Sequence, residues 1–275
     1  MEPRSSNGSP SQTAPPSRPP ELSAWWRILS LPLFLFIVLP IAALLTHTTP
    51  SQLMLNLRRP QVLQAISLSL GTTLISTVLI VVLGTPVALV MSRSRSRLRR
   101  TFDTLIDLPT VLPPAVAGLA LLIAFGRQGL LGGALSALGI HIAFTSVAVI
   151  LAQTFVASPF YVKAAIIGFE KVEVELEQAA SLDGANGWEI FREVTIPLSR
   201  SALLGGGVMS WARALGEFGA TIIFAGNFPG RTQTMPLAIY IGFQIDLQAA
   251  LTLSAILVGF SFLAMILVKG FLDRE

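Results

Sequence analysis

The chain has 275 residues, of which 52% are apolar and only 12% charged. Soluble domains carry about 25% charged residues, so a water-soluble globular fold is excluded as the general plan. Nineteen basic against fifteen acidic residues give a net charge of +4, and the lack of cysteine removes disulfides, Cys-ligated zinc and thiol nucleophiles.

The first 24 residues contain six prolines and six serines. They offer too little apolar surface to fold, so residues 1–27 read as a disordered tail. The apolar run that follows starts only at Ile28, is longer than a signal-peptide core, and has no small-x-small cleavage site after it. A bilayer core about 30 Å thick needs roughly 20 apolar helical residues. Six stretches qualify: 28–46, 65–91, 108–125, 143–169, 201–226 and 249–268. The third opens on Pro109, Pro113 and Pro114, and the fifth carries Arg213 and Glu217. Unpaired backbone amides in hydrocarbon cost several kcal/mol each, which leaves helices as the way across. The expected fold class is an all-α membrane protein of six transmembrane helices.

Basic residues orient the spans. Arg4, Arg18 and Arg27 lie in the tail, and Arg93, Arg95, Arg97, Arg99 and Arg100 in the second loop. Lys163, Lys171, Arg192 and Arg200 belong to the fourth loop, Lys269 and Arg274 to the end. Those fourteen face only Arg58, Arg59, Arg127 and Arg231 on the other side. Both termini are therefore expected in the cytoplasm.

No G-x-x-x-x-G-K-[ST] occurs, and none of Lys163, Lys171 and Lys269 follows a glycine, so the chain has no phosphate cradle. There is also no G-x-S-x-G and no H-E-x-x-H, and His47 and His141 stand far apart as ordinary loop residues. The chain is expected to be a transporter rather than an enzyme, with no cofactor of its own. Uphill transport would then draw on an ion gradient or on a partner. A gradient-driven carrier needs intramembrane proton or ion relays, whereas only Arg213 and Glu217 lie deep in a span.

Residues 170–200 hold seven of the fifteen acids: Glu170, Glu173, Glu175, Glu177, Asp183, Glu189 and Glu193. Val172, Leu176, Ala179 and Ala180 make an apolar stripe at helical spacing beside them. Asp183-Gly184-Ala185-Asn186-Gly187 should break that helix. Residues 188–194 suit a second short helix, and Pro197 restricts its junction with the next span. A solvated acidic loop fits these residues, and so does a helix-turn-helix that docks in a groove of another protein, with Glu177 as an exposed rim charge. In the fifth span, Arg213 and Glu217 are spaced to pair on one helical face. The pair reads either as a neutral brace or as a gate for a dianion. Gly205–Gly207 suit close helix packing, and Gly216 with Gly219 suits bending. Beyond the span, Asn227, Thr232 and Gln233 offer uncharged donors and Arg231 one cation, a set that can meet an anion without trapping it. Residues 235–243 are apolar but too short to span, and lie at the interface or re-enter the bundle.

Glu177-Gln178-Ala179-Ala180-Ser181-Leu182-Asp183-Gly184 followed by Val194-Thr195-Ile196-Pro197 resembles the "EAA" loop of type I ABC-importer permeases. The resemblance implies that Glu177, Ala179, Ala180, Gly184, Ile196 and Pro197 belong to a loop that docks on a cytoplasmic ATPase. Gln178 and Asp183 are mild departures from that pattern. Phe102–Pro109 with Pro113, Pro114 and Gly118 resembles the entry to the third span of oxyanion importers. Ala212–Thr221, with Ala225-Gly226-Asn227 and Thr232-Gln233-Thr234, is similar to the molybdate permeases and close to their sulfate and thiosulfate relatives. The likeness runs from about residue 65 to 269, leaving the tail and first span outside it. It implies a homodimeric permease in a bacterial cytoplasmic (inner) membrane, two ATPase subunits that use ATP, an extracytoplasmic molybdate-binding protein, and no nucleic acid. Tungstate, sulfate and thiosulfate remain the alternative cargoes.

Overall fold

The computed structural model describes residues 24–94 and 97–272, and every regular element among them is helical. Most of the expected tail therefore lies outside the described residues. Helix α1 (Ala24–Thr46) is apolar on all sides, with Leu33, Phe34 and Phe36 among its exposed side chains, despite Pro32 and Pro40 within it. A helix with no polar face suits lipid. Residues up to Ala43 form a unit of their own, and the remainder forms a second.

In the second unit, α2 (Pro50–Leu57) is capped by Thr49, whose hydroxyl accepts from Gln52 N. Helix α3 (Pro60–Arg93) follows, starting on a proline whose missing N–H is harmless in a first turn. The next expected span is not one helix. Helices α4 (Arg97–Val111) and α5 (Pro114–Phe125) meet at a bend of 115°. Pro113 and Pro114 account for it, because a proline disfavours helical geometry in the residue before it and supplies no N–H. Short α6 (Gly132–Ala137) leads to α7 (Ser146–Glu170), capped by Thr145.

After α7 come α8 (Val174–Leu182) and α9 (Gly187–Ile190). The chain then passes through a π-helical turn, Phe191–Thr195, straight into α10 (Ile196–Leu215). The expected separate helix over 188–194 is thus the start of a continuous rod. Pro197 falls in the first turn of α10 behind the wider π turn, so it does not end the helix. The expected span 201–226 is interrupted: α10 stops at Leu215, and α11 (Gly219–Phe224) begins after Gly216–Phe218. Helices α12 (Met235–Ile245) and α13 (Leu247–Leu272) complete the fold.

Helices α1, α3, α7 and α13 are long and apolar enough to cross a membrane, and the bent α4–α5 pair makes a fifth if counted as one span. Helix α12 packs on α3 and α13, with Met235 buried among Val62, Ala65, Leu215 and Leu253. The central packing joins α3, α7 and α10 around Ile80, Tyr161, Phe169 and Ala214. Small residues permit it: a Cβ on Gly206 would lie 2.6 Å from Ala164 Cβ, and one on Gly168 2.6 Å from Ala202 Cβ. Close approach of this kind supplies the van der Waals contact that lipid cannot replace. Of the three glycines expected to pack, a Cβ added at Gly205 or Gly207 would meet nothing within 4 Å.

Candidate functional site

The 170–200 segment folds as two short helices around a tight break. Glu175 and Glu177 stand in the first turn of α8, where the helix dipole favours negative charge. At its end Gly184 takes φ +94°. Gly184 N donates to Ser181 O at 3.1 Å and Ala185 N to Ala180 O at 3.0 Å, the paired bonds by which a left-handed residue closes a helix. Asn186 then opens α9. Its Oδ1 accepts from Trp188 N and Glu189 N, while Glu189 Oε2 accepts from Asn186 N at 2.8 Å. This reciprocal cap stiffens the turn.

The outer face of this helix pair has no cover among the described residues. Leu182 is 89% and Trp188 66% exposed, and Val174, Leu176 and Ala179 are exposed or half-buried beside them. Val172, the first residue of the predicted stripe, is instead buried. Ala180 and Ile196 are half-buried, and Pro197 is exposed. Glu177 is not the rim charge expected from the sequence. Its Oε1 accepts from Arg93 Nη2 at 2.5 Å and from Thr195 Oγ1 at 2.8 Å. It ties the end of α3, helix α8 and the π turn to one another. Two further links go beyond the sequence-based expectations. Lys163 Nζ donates to Asp103 Oδ1 at 2.5 Å and lies 2.9 Å from Asp107 Oδ2, and Arg99 pairs with Glu170. The signal for the first is the i, i+4 spacing of Asp103 and Asp107, which places both on one face of α4.

The deep pair forms, but across the break in the fifth span. Arg213 Nη1 in α10 donates to Glu217 Oε2 at 2.9 Å. Glu217 Oε1 accepts from Ala220 N at 2.8 Å, in the first turn of α11. Only 1% of the Glu217 side chain is exposed, against 31% for Arg213. Behind the joint the backbones of α5 and α11 nearly touch. A Cβ on Gly118 would stand 2.6 Å from Ala220 O, and one on Gly219 2.5 Å from Pro114 Cβ.

Asn227 follows Gly226, a glycine at φ +72°, and its Oδ1 is buried without a hydrogen-bond partner among the described residues. Thr232 is fully buried, and its hydroxyl accepts from Phe228 N at 3.0 Å, closing its own loop. Gln233 N donates to Phe228 O in the same turn. No group of His, Asp and Glu side chains among the described residues could hold a metal ion.

Residues 80–274 match the family model described as "binding-protein-dependent transport system inner membrane component". The chain belongs to this permease family. Its relatives include the molybdenum transport system permease protein ModB of Mycobacterium tuberculosis, 42% identical with 87% of this chain and 91% of that protein covered. A probable transport system permease protein, NifC of Clostridium pasteurianum, is 38% identical over 86% and 83%. Among solved structures, a bacterial ABC transporter that imports the polysaccharide alginate superposes with a TM-score of 0.68 at 16% identity, over 91% of this chain and 94% of that one. The MetNI methionine ABC transporter gives 0.59 at 18% identity, over 78% and 95%. These likenesses show the fold of the chain as that of solved ABC transporter chains. The permease is thus a multi-pass membrane component of a transport system, as its apolar helices require.

Proposed function

We propose that this permease is the membrane subunit of an ATP-driven ABC importer that carries molybdate across the cytoplasmic membrane. The carrying observation is the 42% identity to a molybdenum transport permease across nearly the whole of both chains. The split of fourteen basic residues against four supports six crossings with both termini in the cytoplasm. On this reading the interrupted α10–α11 segment is the fifth crossing.

The uncovered face of α8 and α9 then docks a cytoplasmic ATPase, with Ala179, Ala180 and Gly184 in the contact, Glu177 bracing α8 from within, and Ile196 and Pro197 starting the helix behind it. Capped short helices with exposed Leu182 and Trp188 suit insertion into a groove. Two ATPase subunits would serve two permease copies related by a two-fold axis, with ATP bound and hydrolysed only on those partners. A molybdate-binding protein delivers the anion from outside. Arg213 and Glu217 mark the joint where the path narrows, and Asn227, Thr232 and Gln233 shape its outer end. Closure of the ATPase pair moves the docking helices, and packed bundle halves alternate the opening.

Uptake in cells lacking this chain tests the reading. Re-expression should restore molybdate accumulation, with tungstate competing and sulfate excluded. Restored sulfate or thiosulfate uptake without molybdate uptake would reassign the cargo.

A further inference from the structure

Helix α4 carries Arg99, Asp103 and Asp107 at every fourth residue, so the three charges line up along one face. All of them meet α7. Arg99 pairs with Glu170, and Asp103 and Asp107 flank Lys163 Nζ at 2.5 and 2.9 Å. The pairing order runs backwards along α7, so the two helices are antiparallel. Off that face, Phe102 and Leu105 are 57% and 56% exposed. Of the α4 side chains described, only Pro109 is buried, and Ile106 reaches the edge of the α3–α7–α10 core. Charge rather than apolar burial holds α4 in place.

Helix α7 has 25 residues, about 37 Å at 1.5 Å per residue, which exceeds a hydrocarbon core of about 30 Å. Lys163 stands seven residues before its docking end, about 10 Å inside it. Ionisable groups at such a depth face a partner or a wet cavity. The Lys163, Asp103 and Asp107 side chains have partners and are still 34%, 46% and 44% exposed. Ion pairs this open are individually weak, so they set a position without making it permanent. They also select the motion. A slide of one helical turn, about 5.4 Å, moves Arg99 towards Lys163 in one direction and Asp103 against Glu170 in the other. Like charges oppose both slides, so α4 leaves α7 by swinging away.

Each end of α4 leads to a part of the molecule already described. At one end Pro113 and Pro114 interrupt the helical bonding at the 115° bend, and Pro114 packs directly on Gly219 at the α10–α11 joint. At the other, Glu170 closes α7 just before α8 starts at Val174. Arg93, at the end of α3, holds Glu177 within α8. The arginine-rich segment between α3 and α4 thus grips the docking helix on both sides of its first turn.

We propose that Lys163 with Asp103 and Asp107, and Arg99 with Glu170, form an ionic latch that opens and closes in each transport cycle. Helix α4 swings about Pro113 and Pro114 and so couples the docking helices to the α10–α11 joint. These five are positioning residues, and none has to touch the cargo. The proposal rests on the ATP-driven reading above.

The test uses the complete transporter, permease with its co-purified ATPase, in nanodiscs. Spin labels are placed on cysteines at Thr101 and Ile167, both exposed and outside the latch, in a chain that has no cysteine of its own. Thr101 lies twelve residues before Pro113, about 18 Å, so a swing of about 15° moves it by roughly 5 Å. Trapping with ATP and vanadate should shift the label distance by that amount from its nucleotide-free value. Lys163→Met should leave inserted permease and bound ATPase unchanged, while molybdate uptake per ATP hydrolysed in vesicles falls roughly fivefold. Lys163→Arg should restore the ratio, which a merely structural ion pair would not move. If Lys163→Met fails to insert, the label distance decides. The same label distance in both nucleotide states, or a wild-type ratio in an inserted Lys163→Met, would overturn the latch while the ATPase remains bound. A wild-type permease that brings down no ATPase would instead overturn the ATP-driven reading, and the latch with it.

Discussion

Glu217 uses each oxygen of its carboxylate for a different element, one for Arg213 in α10 and one for Ala220 N in α11. It is a helix cap and an ion-pair partner at once, which separates the effects of its substitutions. Glu217→Gln keeps an acceptor for Ala220 N and loses the charge, so the complex should be destabilised by about 2 kcal/mol. Glu217→Leu removes both and should cost about 3–5 kcal/mol. Thermal unfolding of the purified complex in detergent reads the order. Exchanging the two residues restores the charges but places a donor at 217, where α11 needs an acceptor. The exchange should therefore stay unstable, and full recovery would show that the cap does not matter. The i, i+4 spacing makes this pair legible in the sequence. The cap is not legible there, because Gly216 and Gly219 signal a bend but not that a new helix opens at Gly219 and needs an acceptor for Ala220 N. Glu177 escapes a sequence reading for a related reason: its partners Arg93 and Thr195 are distant along the chain, and local pattern alone puts it on the rim.

At the scale of the elements, apolar length reveals how much chain lies in the membrane but not whether each piece is one helix. The proline cluster before α5 is visible in the sequence, yet the 115° bend it produces depends on what α5 packs against. The α10–α11 joint rests on glycines at 216 and 219 that are legible as a site of bending. The 183–187 break is the plainest local signal, and its chemistry yields a test. Gly184 has φ +94°, and a Cβ added there would meet nothing within 4 Å, so backbone strain is the whole penalty inside this chain. Gly184→Val should lose about 1 kcal/mol or more, insert normally, and fail to co-purify the ATPase. Gly184→Asn, a residue that tolerates left-handed geometry, should retain the turn and most of the association. Equal ATPase recovery from the Val variant and the wild type would remove the docking role.

For the whole molecule, the charge division and the length of α7 point the same way. A cysteine at 186 should be labelled by an impermeant reagent only after the cells are opened, and one at 136 in intact cells. The native chain contains no cysteine to interfere. Labelling of residue 186 from outside would invert the orientation and the assignment of both faces. The expected sidedness is read from the basic residues, which favour the cytoplasmic side. The recess lined by Arg127 and Arg231 is not legible in the sequence, because it is assembled from loops about 100 residues apart.

The π turn joins α9 to α10 without a break. From Gly187 to Leu215 the chain is one uninterrupted helix, about 43 Å long at 1.5 Å per residue. This rod ends at Gly216, one residue before Glu217, the partner of Arg213. A tilt of about 10° there sweeps Trp188 through roughly 7 Å at that arm length. On the docking proposed above, a modest stroke at Trp188 would reach the joint as a small rotation.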